Sequence, residues 1–90
     1  MDVPERVEVL GMTLDEWKHE SCIAHFGTGA DWATLYDIES GKQNKGHATQ
    51  LLLKAKDYYK GQGKIVAGTV ALNSIMRRVY VKAGIAEISA

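Results

Sequence analysis

Hydrophobic positions along the chain change their spacing from one segment to the next, and this spacing predicts the elements. Residues 7–10 alternate between apolar and polar types, which indicates a short strand. Thr13 and Glu16 stand three residues apart as a capping box, so a helix is predicted over 14–25. Residues 32–38 are rich in types that favour strands, and a second strand is predicted there.

The clearest element is a helix predicted over 48–60, where apolar residues recur at three- and four-residue spacing. These residues are Ala48, Leu51, Leu52, Ala55 and Tyr59. Residues 65–70 alternate little, as expected of a strand covered on both faces. A third helix is predicted over 73–82 and a last short strand over 85–88.

The predicted order is therefore β-α-β-α-β-α-β, in a single α/β domain over residues 1–90 with helices packed on a mixed sheet. The strands at 32–38 and 65–70 are predicted to be neighbours. The reason is that the helix between them must pack its apolar stripe back on the sheet.

Composition limits the partners and the compartment. Lys plus Arg equals Asp plus Glu at 11 each, so no global charge favours nucleic acid or an anionic membrane. No apolar run approaches membrane-spanning length. The single cysteine, Cys22, is expected to be buried and inert, and it favours a reducing, cytoplasmic setting. Zero net charge gives little repulsion between copies, which favours a homodimer.

The loop before the predicted helix 48–60 is a candidate anion site. Its sequence is Gln43-Asn44-Lys45-Gly46-His47-Ala48. Small residues at a helix start let backbone N–H groups approach a phosphate, at the positive end of the helix dipole. The alternative is that Gly46 merely shapes a turn.

Two motifs carry a resemblance to a known family. Gln43, Gly46 and Ala48 fit the pattern Q/R-x-x-G-x-G/A, and a second segment has Asn73, then Tyr80 seven residues later. Gly84-Ile85 completes that segment. In this order the motifs resemble the acetyl-CoA-binding regions of the GNAT superfamily of N-acetyltransferases.

The resemblance implies a reduced GNAT-like fold that holds the pyrophosphate of acetyl-CoA on the loop amides. The expected cofactor-binding residues are Ile38, Gln43, Asn44, Lys45, Gly46, His47, Ala48 and Asn73. Tyr80 would then lie near the sulfur as general acid for the leaving thiolate. The alternatives are that Tyr80 is a core aromatic and Asn73 a helix cap.

Other polar and aromatic residues have less defined roles. Asp37 and Glu39, at the end of a predicted strand, are candidate general bases through water, and Glu39 is the base we assign. The histidines of the predicted first helix, His19 and His25, are expected at the surface, and no cluster has metal-ligand spacing. The remaining aromatics assigned to the core are Trp17, Trp32 and Tyr36, and the alternative for Trp32 is that it flanks the acceptor cleft.

The function implied by the resemblance is acetyl transfer from acetyl-CoA to an amine acceptor. Family members have two helices and a three-strand meander before the central strand, whereas this chain has room there for one predicted strand and one helix. That part usually forms a wall of the acceptor pocket, and a second copy could supply it. The alternative function is a non-catalytic module that binds a partner protein. Short chains of this kind also resemble accessory proteins encoded by bacteriophages, some of which bind host proteins.

Overall fold

The computed structural model describes residues 3–40, 46–71 and 74–88. The first part of the chain forms four strands, β1 (Glu5–Val9), β2 (Met12–His19), β3 (Cys22–Thr28) and β4 (Trp32–Ser40). They are followed by α1 (His47–Lys60), β5 (Ile65–Gly68), α2 (Ser74–Ala83) and β6 (Ala86–Glu87). The six strands form one sheet in the order β1-β2-β3-β4-β5-β6. Pairing is antiparallel from β1 to β4 and parallel from β4 to β6.

The predicted order β-α-β-α-β-α-β is wrong, because no helix forms over 14–25. These residues form most of the antiparallel pair β2 and β3, joined by a short turn in which Glu20 has a φ of 55°. The capping pair Thr13 and Glu16 lies inside β2 instead. Alternate residues along both strands face the core in the way a half-covered sheet requires. The core-facing residues are Asp15, Trp17, Cys22, Ala24 and Phe26.

The turn between β1 and β2 explains why the chain continues as a strand after residue 9. Val9 pairs with Met12, and the two residues between them, Leu10 and Gly11, have φ of 51° and 81°. Positive φ at both central positions gives the two-residue hairpin turn whose twist matches that of the strands. Gly11 therefore belongs to a hairpin turn, after which the chain continues as β2.

The predicted neighbours β4 and β5 are confirmed. Trp32 pairs with Ile65 and Leu35 with Gly68 in parallel, and α1 connects the two strands. Both helices begin and end within one residue of their predicted bounds. The second half of the chain thus follows its hydrophobic periodicity closely.

Both helices pack on the same face of the sheet and form one core with it. The largest buried side chains of this core include Tyr59, Tyr80, Phe26, Leu35, Leu51 and Leu52. Cys22 is buried, as predicted, whereas Trp32 and Tyr36 are 44% and 39% exposed and are not core residues. In the described ranges no helix or strand covers the opposite face of the sheet.

A buried polar network ties α1 to the antiparallel strands. The Tyr59 hydroxyl donates to Asp15 Oδ2 at 2.7 Å, and Trp17 Nε1–H donates to the Tyr59 oxygen at 3.1 Å. Burial raises the pKa of the Tyr59 phenol, and the hydrogen bond to Asp15 adds to the rise. The network satisfies the one buried acidic side chain among the described residues and fixes how α1 lies across β2.

Candidate functional site

The strands β4 and β5 separate halfway along β4. Their pairing ends at Leu35 and Gly68, after which Thr69 N–H still donates to Leu35 O at 3.0 Å. β4 continues to Ser40 in partnership with β3 alone. In the described part of the chain, the edge of β4 beyond Tyr36 that faces β5 therefore has no strand partner.

A β-bulge lies at the point of separation. His25 pairs with Asp37 while the next residue, Phe26, pairs with Leu35, so Tyr36 is the extra residue on β4. A bulge of this kind bends the strand and redirects its side chains. The Thr69 hydroxyl donates to Tyr36 O at 3.4 Å and links the two strands as they part. The bulge therefore lies directly after the last paired residue of β4, where β4 and β5 part.

The gap is a cleft of about 110 Å³. It is lined by Tyr36, Asp37, Ile38, Thr69, Val70 and Met76. This volume has room for a group of a few non-hydrogen atoms, about the size of an acetyl thioester. Asp37 supplies the carboxyl group of the lining, and Ile38 is the predicted cofactor-binding residue that lies there.

The N-terminus of α1 lies at the end of the sheet where β4 finishes, because α1 follows β4 and runs back along the sheet to the start of β5. Gly46 is its N-cap residue, with φ of 76° and ψ of 1°, and no side chain caps the helix. The first helical bond runs from Gln50 N–H to Gly46 O, so the N–H groups of His47, Ala48 and Thr49 have no acceptor within the helix. The first turn has no acidic residue. Such an end attracts an anion.

The surroundings of Gly46 are open. A Cβ added there would meet no other heavy atom within 4 Å in the described structure. Its positive φ is a conformation that glycine adopts at low cost and that other residues rarely adopt. This geometry agrees with both sequence-based interpretations of Gly46, as a residue that gives a ligand access to backbone amides and as one that only shapes a turn.

The His47 ring lies against β2 rather than over the helix end. It contacts the His19 ring edge-on, with ring centres 5.7 Å apart. His19 Nε2 lies 2.8 Å from Gln50 Oε1, and Lys54 Nζ lies 3.3 Å from His19 Nδ1. Because Lys54 can only donate, His19 accepts at Nδ1 and donates to Gln50 from Nε2. His47 Nδ1 is buried and has no hydrogen-bond partner among the described residues.

Tyr80 is buried against Gly68 and is not itself among the residues that line the cleft. Its ring covers Gly68, where an added Cβ would come within 2.6 Å of Tyr80 Cζ. Met76, one turn earlier on α2, lines the cleft, as does Thr69 beside Gly68. The Tyr80 hydroxyl is buried without a hydrogen-bond partner among the residues described. Burial raises the pKa of the Tyr80 phenol, and the charge of Glu87 adds to this rise.

A charged cluster lies on the uncovered face of the sheet, beside the cleft. His25 Nδ1 lies 2.8 Å from Asp37 Oδ1, and His25 Nε2 lies 3.0 Å from Glu16 Oε2. Lys18 Nζ is 3.4 Å from the other oxygen of Glu16. The prediction that His25 lies on the surface of a helix is wrong, because His25 belongs to β3 and lies between two carboxylates. The chain of contacts leads from the cleft-lining Asp37 across three neighbouring strands.

The cluster shifts two pKa values in opposite directions. Burial of the His25 ring acts to lower its pKa, but the hydrogen bonds to Asp37 and Glu16 outweigh it and raise the pKa. The hydrogen bond from His25 lowers the pKa of Glu16, against the effect of burial, and Lys18 lowers it further. Both shifts stabilise the charged pair in the folded state.

The cluster should give folding stability a maximum at mildly acidic pH. The His25 contribution is complete below its ordinary pKa of 6.5 and is lost as the pH rises through the raised folded value. The Glu16 contribution is complete above 4.5 and is lost as the pH falls through the lowered folded value. We expect the free energy of unfolding to fall above about pH 6.5, and His25→Gln to reduce that fall. Urea unfolding between pH 4 and 9 measures the free energy of unfolding. His19→Gln is the control and should leave the slope of this free energy against pH unchanged. An unchanged slope in the His25 variant would contradict the assignment.

The structure brings together some of the predicted site residues. Ile38 lines the cleft, and Gly46, His47 and Ala48 lie at the start of α1. Tyr80 is buried against Gly68 and is not among the cleft-lining residues. Glu39 is exposed, pairs with Ile23 and is not among the lining residues. Gln43, Asn44, Lys45 and Asn73 lie outside the described residues, so their roles stay predictions.

The part of the site that depends on strand register was not predicted from the sequence. Tyr36 was assigned to the core, and Thr69 and Met76 were given no binding role, yet all three line the cleft. A signal was present in the glycine at 68, which precedes the end of an apolar strand and indicates close approach of another group.

Among residues 3–40, 46–71 and 74–88, no group of three or more His, Cys, Asp or Glu side chains is arranged to bind a metal ion. No helix in these ranges is long and apolar enough to cross a membrane. No protein-family model matches the chain, and no curated protein or solved structure matches it either.

Proposed function

We propose that the chain binds acetyl-CoA and transfers its acetyl group to an amine. The observation that carries the proposal is the separation of β4 and β5 at the Tyr36 bulge, toward the end of the sheet where α1 starts without a side-chain cap. Ligands of sheets with parallel strands bind outside the carboxyl ends of those strands. Here that position combines a cleft for a small acyl group with a helix end for an anion.

The arrangement matches the chemistry of a CoA thioester part by part. The amides at Gly46 to Ala48 would hold the pyrophosphate. The unpaired edge of β4 next to Ile38 would bond the amides of the extended pantetheine arm, as an added strand does.

In the proposed reaction the amine nitrogen attacks the thioester carbonyl and the carbon–sulfur bond breaks. Tyr80 gives its proton to the departing thiolate. Support comes from its hydroxyl, which is buried, stays protonated at neutral pH and has no hydrogen-bond partner in the described ranges. The proton from the amine passes through water to a carboxylate. Asp37 lines the cleft and is better placed for this than Glu39, the base assigned from the sequence.

A binding module for a partner protein is the second proposal. The observation that favours it is the sheet face around His25 and Glu16, which no described element covers. In the first proposal, this face would form the acceptor side of the cleft. For either function we propose a cytoplasmic location, because a single cysteine cannot form a disulfide within the chain.

Acetyl-CoA should stabilise the folded chain. At a hundred times its dissociation constant, a ligand that binds only the folded state adds about 2.7 kcal/mol. For a domain of this size, that corresponds to a rise in Tm of roughly 10–20 °C. Thermal unfolding with acetyl-CoA measures it, and ATP at the same concentration is the control for phosphate charge alone. An equal shift with ATP, or none with acetyl-CoA, would count against the proposal.

A further inference from the structure

β1 is an outer strand of the described sheet, and its free edge has a defined hydrogen-bonding pattern. The two-residue turn makes Val9 and Met12 a mutually bonded pair, so Val7 and Leu14 are bonded as well. Arg6 and Glu8 lie at the intervening positions, where the backbone N–H and C=O groups point away from β2. The free edge of β1 therefore offers the backbone groups of Arg6 and Glu8.

The sequence of β1 is complementary to itself when it runs antiparallel. If a second copy pairs around Val7, Arg6 of each copy lies opposite Glu8 of the other, and Val7 lies opposite Val7. The backbone groups agree with this register, because Arg6 and Glu8 would exchange both hydrogen bonds while Val7 keeps its bonds to β2. Opposite charges directly across an antiparallel pair are stabilising, and like charges are destabilising.

The side chains of β1 are free to make these contacts. Arg6 is 76% exposed and has only a distant ion pair with Asp15, at 3.9 Å. Glu8 is exposed and has no ion pair among the described residues. Unprotected strand edges are the places where sheets recruit further strands.

We propose that two copies of the chain pair through β1, antiparallel about a twofold axis at Val7, so that the two sheets become one continuous sheet. The pairing is isologous, so every contact occurs twice. It specifies the homodimer expected from the zero net charge, and it does not depend on the acetyl-CoA site.

Charge reversal tests the register. Sedimentation equilibrium should give a dimer of the 9.9 kDa chain for the unchanged protein. Arg6→Glu and Glu8→Arg each place like charges opposite one another on both sides of the axis, and each should raise the dimer dissociation constant at least tenfold. An equimolar mixture of these two variants should dimerise again, because the acidic strand of one faces the basic strand of the other. Glu5→Arg is the control, since Glu5 lies opposite the uncharged Val9 and its reversal should leave the dimer intact.

Glu8→Pro tests the backbone pairing by itself. The N–H of Glu8 points away from β2, so proline there removes no bond within the chain and blocks pairing with a second copy. Unfolding by urea should stay two-state in this variant while the dimer is lost. A monomer in the unchanged protein, a dimer that survives Glu8→Pro, or a mixture that stays monomeric would each overturn the proposal. If this edge instead binds a strand of a different protein, the purified chain would sediment as a monomer, which is one of the results that overturn the proposal.

Discussion

Gly46→Val should abolish the binding of acetyl-CoA while the fold survives. The glycine stands at the N-cap of α1 with open space on the side where a Cβ would project. A branched side chain there would occupy the position that phosphate oxygens need in order to reach the amides of His47 and Ala48. Isothermal titration with acetyl-CoA measures the loss.

The backbone at Gly46 adds a second effect that must be separated from the first. Its φ of 76° is unfavourable for valine, so the variant should also lose about 1–2 kcal/mol of folding stability. Gly63, in the turn after α1, is a matched control because its φ is 77° and it also has open surroundings. Gly63→Val should cost similar stability and leave binding unchanged. Equal affinities in the two folded variants would show that Gly46 only shapes a turn.

The second half of the fold could be predicted because its elements are specified locally. The apolar stripe of α1 and the short connections around β5 leave few ways to pack, so β4 and β5 were correctly predicted as neighbours. The first half could not be predicted in the same way. Thr13 and Glu16 satisfy a local helix-start pattern, while the competing hairpin depends on positive φ at Leu10 and Glu20, which are not typical residues for it.

The alternation that identifies β2 and β3 was also obscured. Asp15 faces the core as a carboxylate, because Tyr59 from α1 supplies a hydrogen bond across 44 positions of sequence. On the other face, Leu14 is buried although it belongs to the uncovered side of the sheet. An apolar pattern interrupted in this way is closer to helical spacing than to strict alternation. The hairpin is stabilised by tertiary contacts that the local sequence does not contain.

The candidate site likewise has one part that could be predicted from the sequence and one part that could not. Gly46 and Tyr80 could be proposed from sequence because a loop before a helix and a position on a helix are local features. The cleft could not, since it depends on the bulge at Tyr36 and on the register that ends pairing at Gly68. The contact between His25 and Asp37 likewise follows from strand pairing.

If acetyl transfer occurs, Tyr80→Phe should lower turnover by about 10²–10⁴-fold, which is the usual contribution of a general acid. The change removes the proton donor to the departing thiolate and keeps the ring that packs over Gly68. Affinity for acetyl-CoA should change little. Steady-state kinetics with a panel of amines, together with acetyl-CoA titration, measures both.

Stability distinguishes this role from a structural one. The Tyr80 hydroxyl is buried without a hydrogen-bond partner among the described residues, so its removal should leave the free energy of unfolding unchanged or slightly higher. Tyr58→Phe is the control, because Tyr58 is a half-buried tyrosine of α1 that packs against Trp17 and is not among the cleft-lining residues.

Equal turnover in the unchanged protein and the Tyr80 variant would make Tyr80 a core residue. No turnover on any amine, with binding to a partner protein retained in both, would favour the binding module. A large loss of turnover in a variant that is no less stable, with full activity in the Tyr58 control, would identify the phenol as the acid.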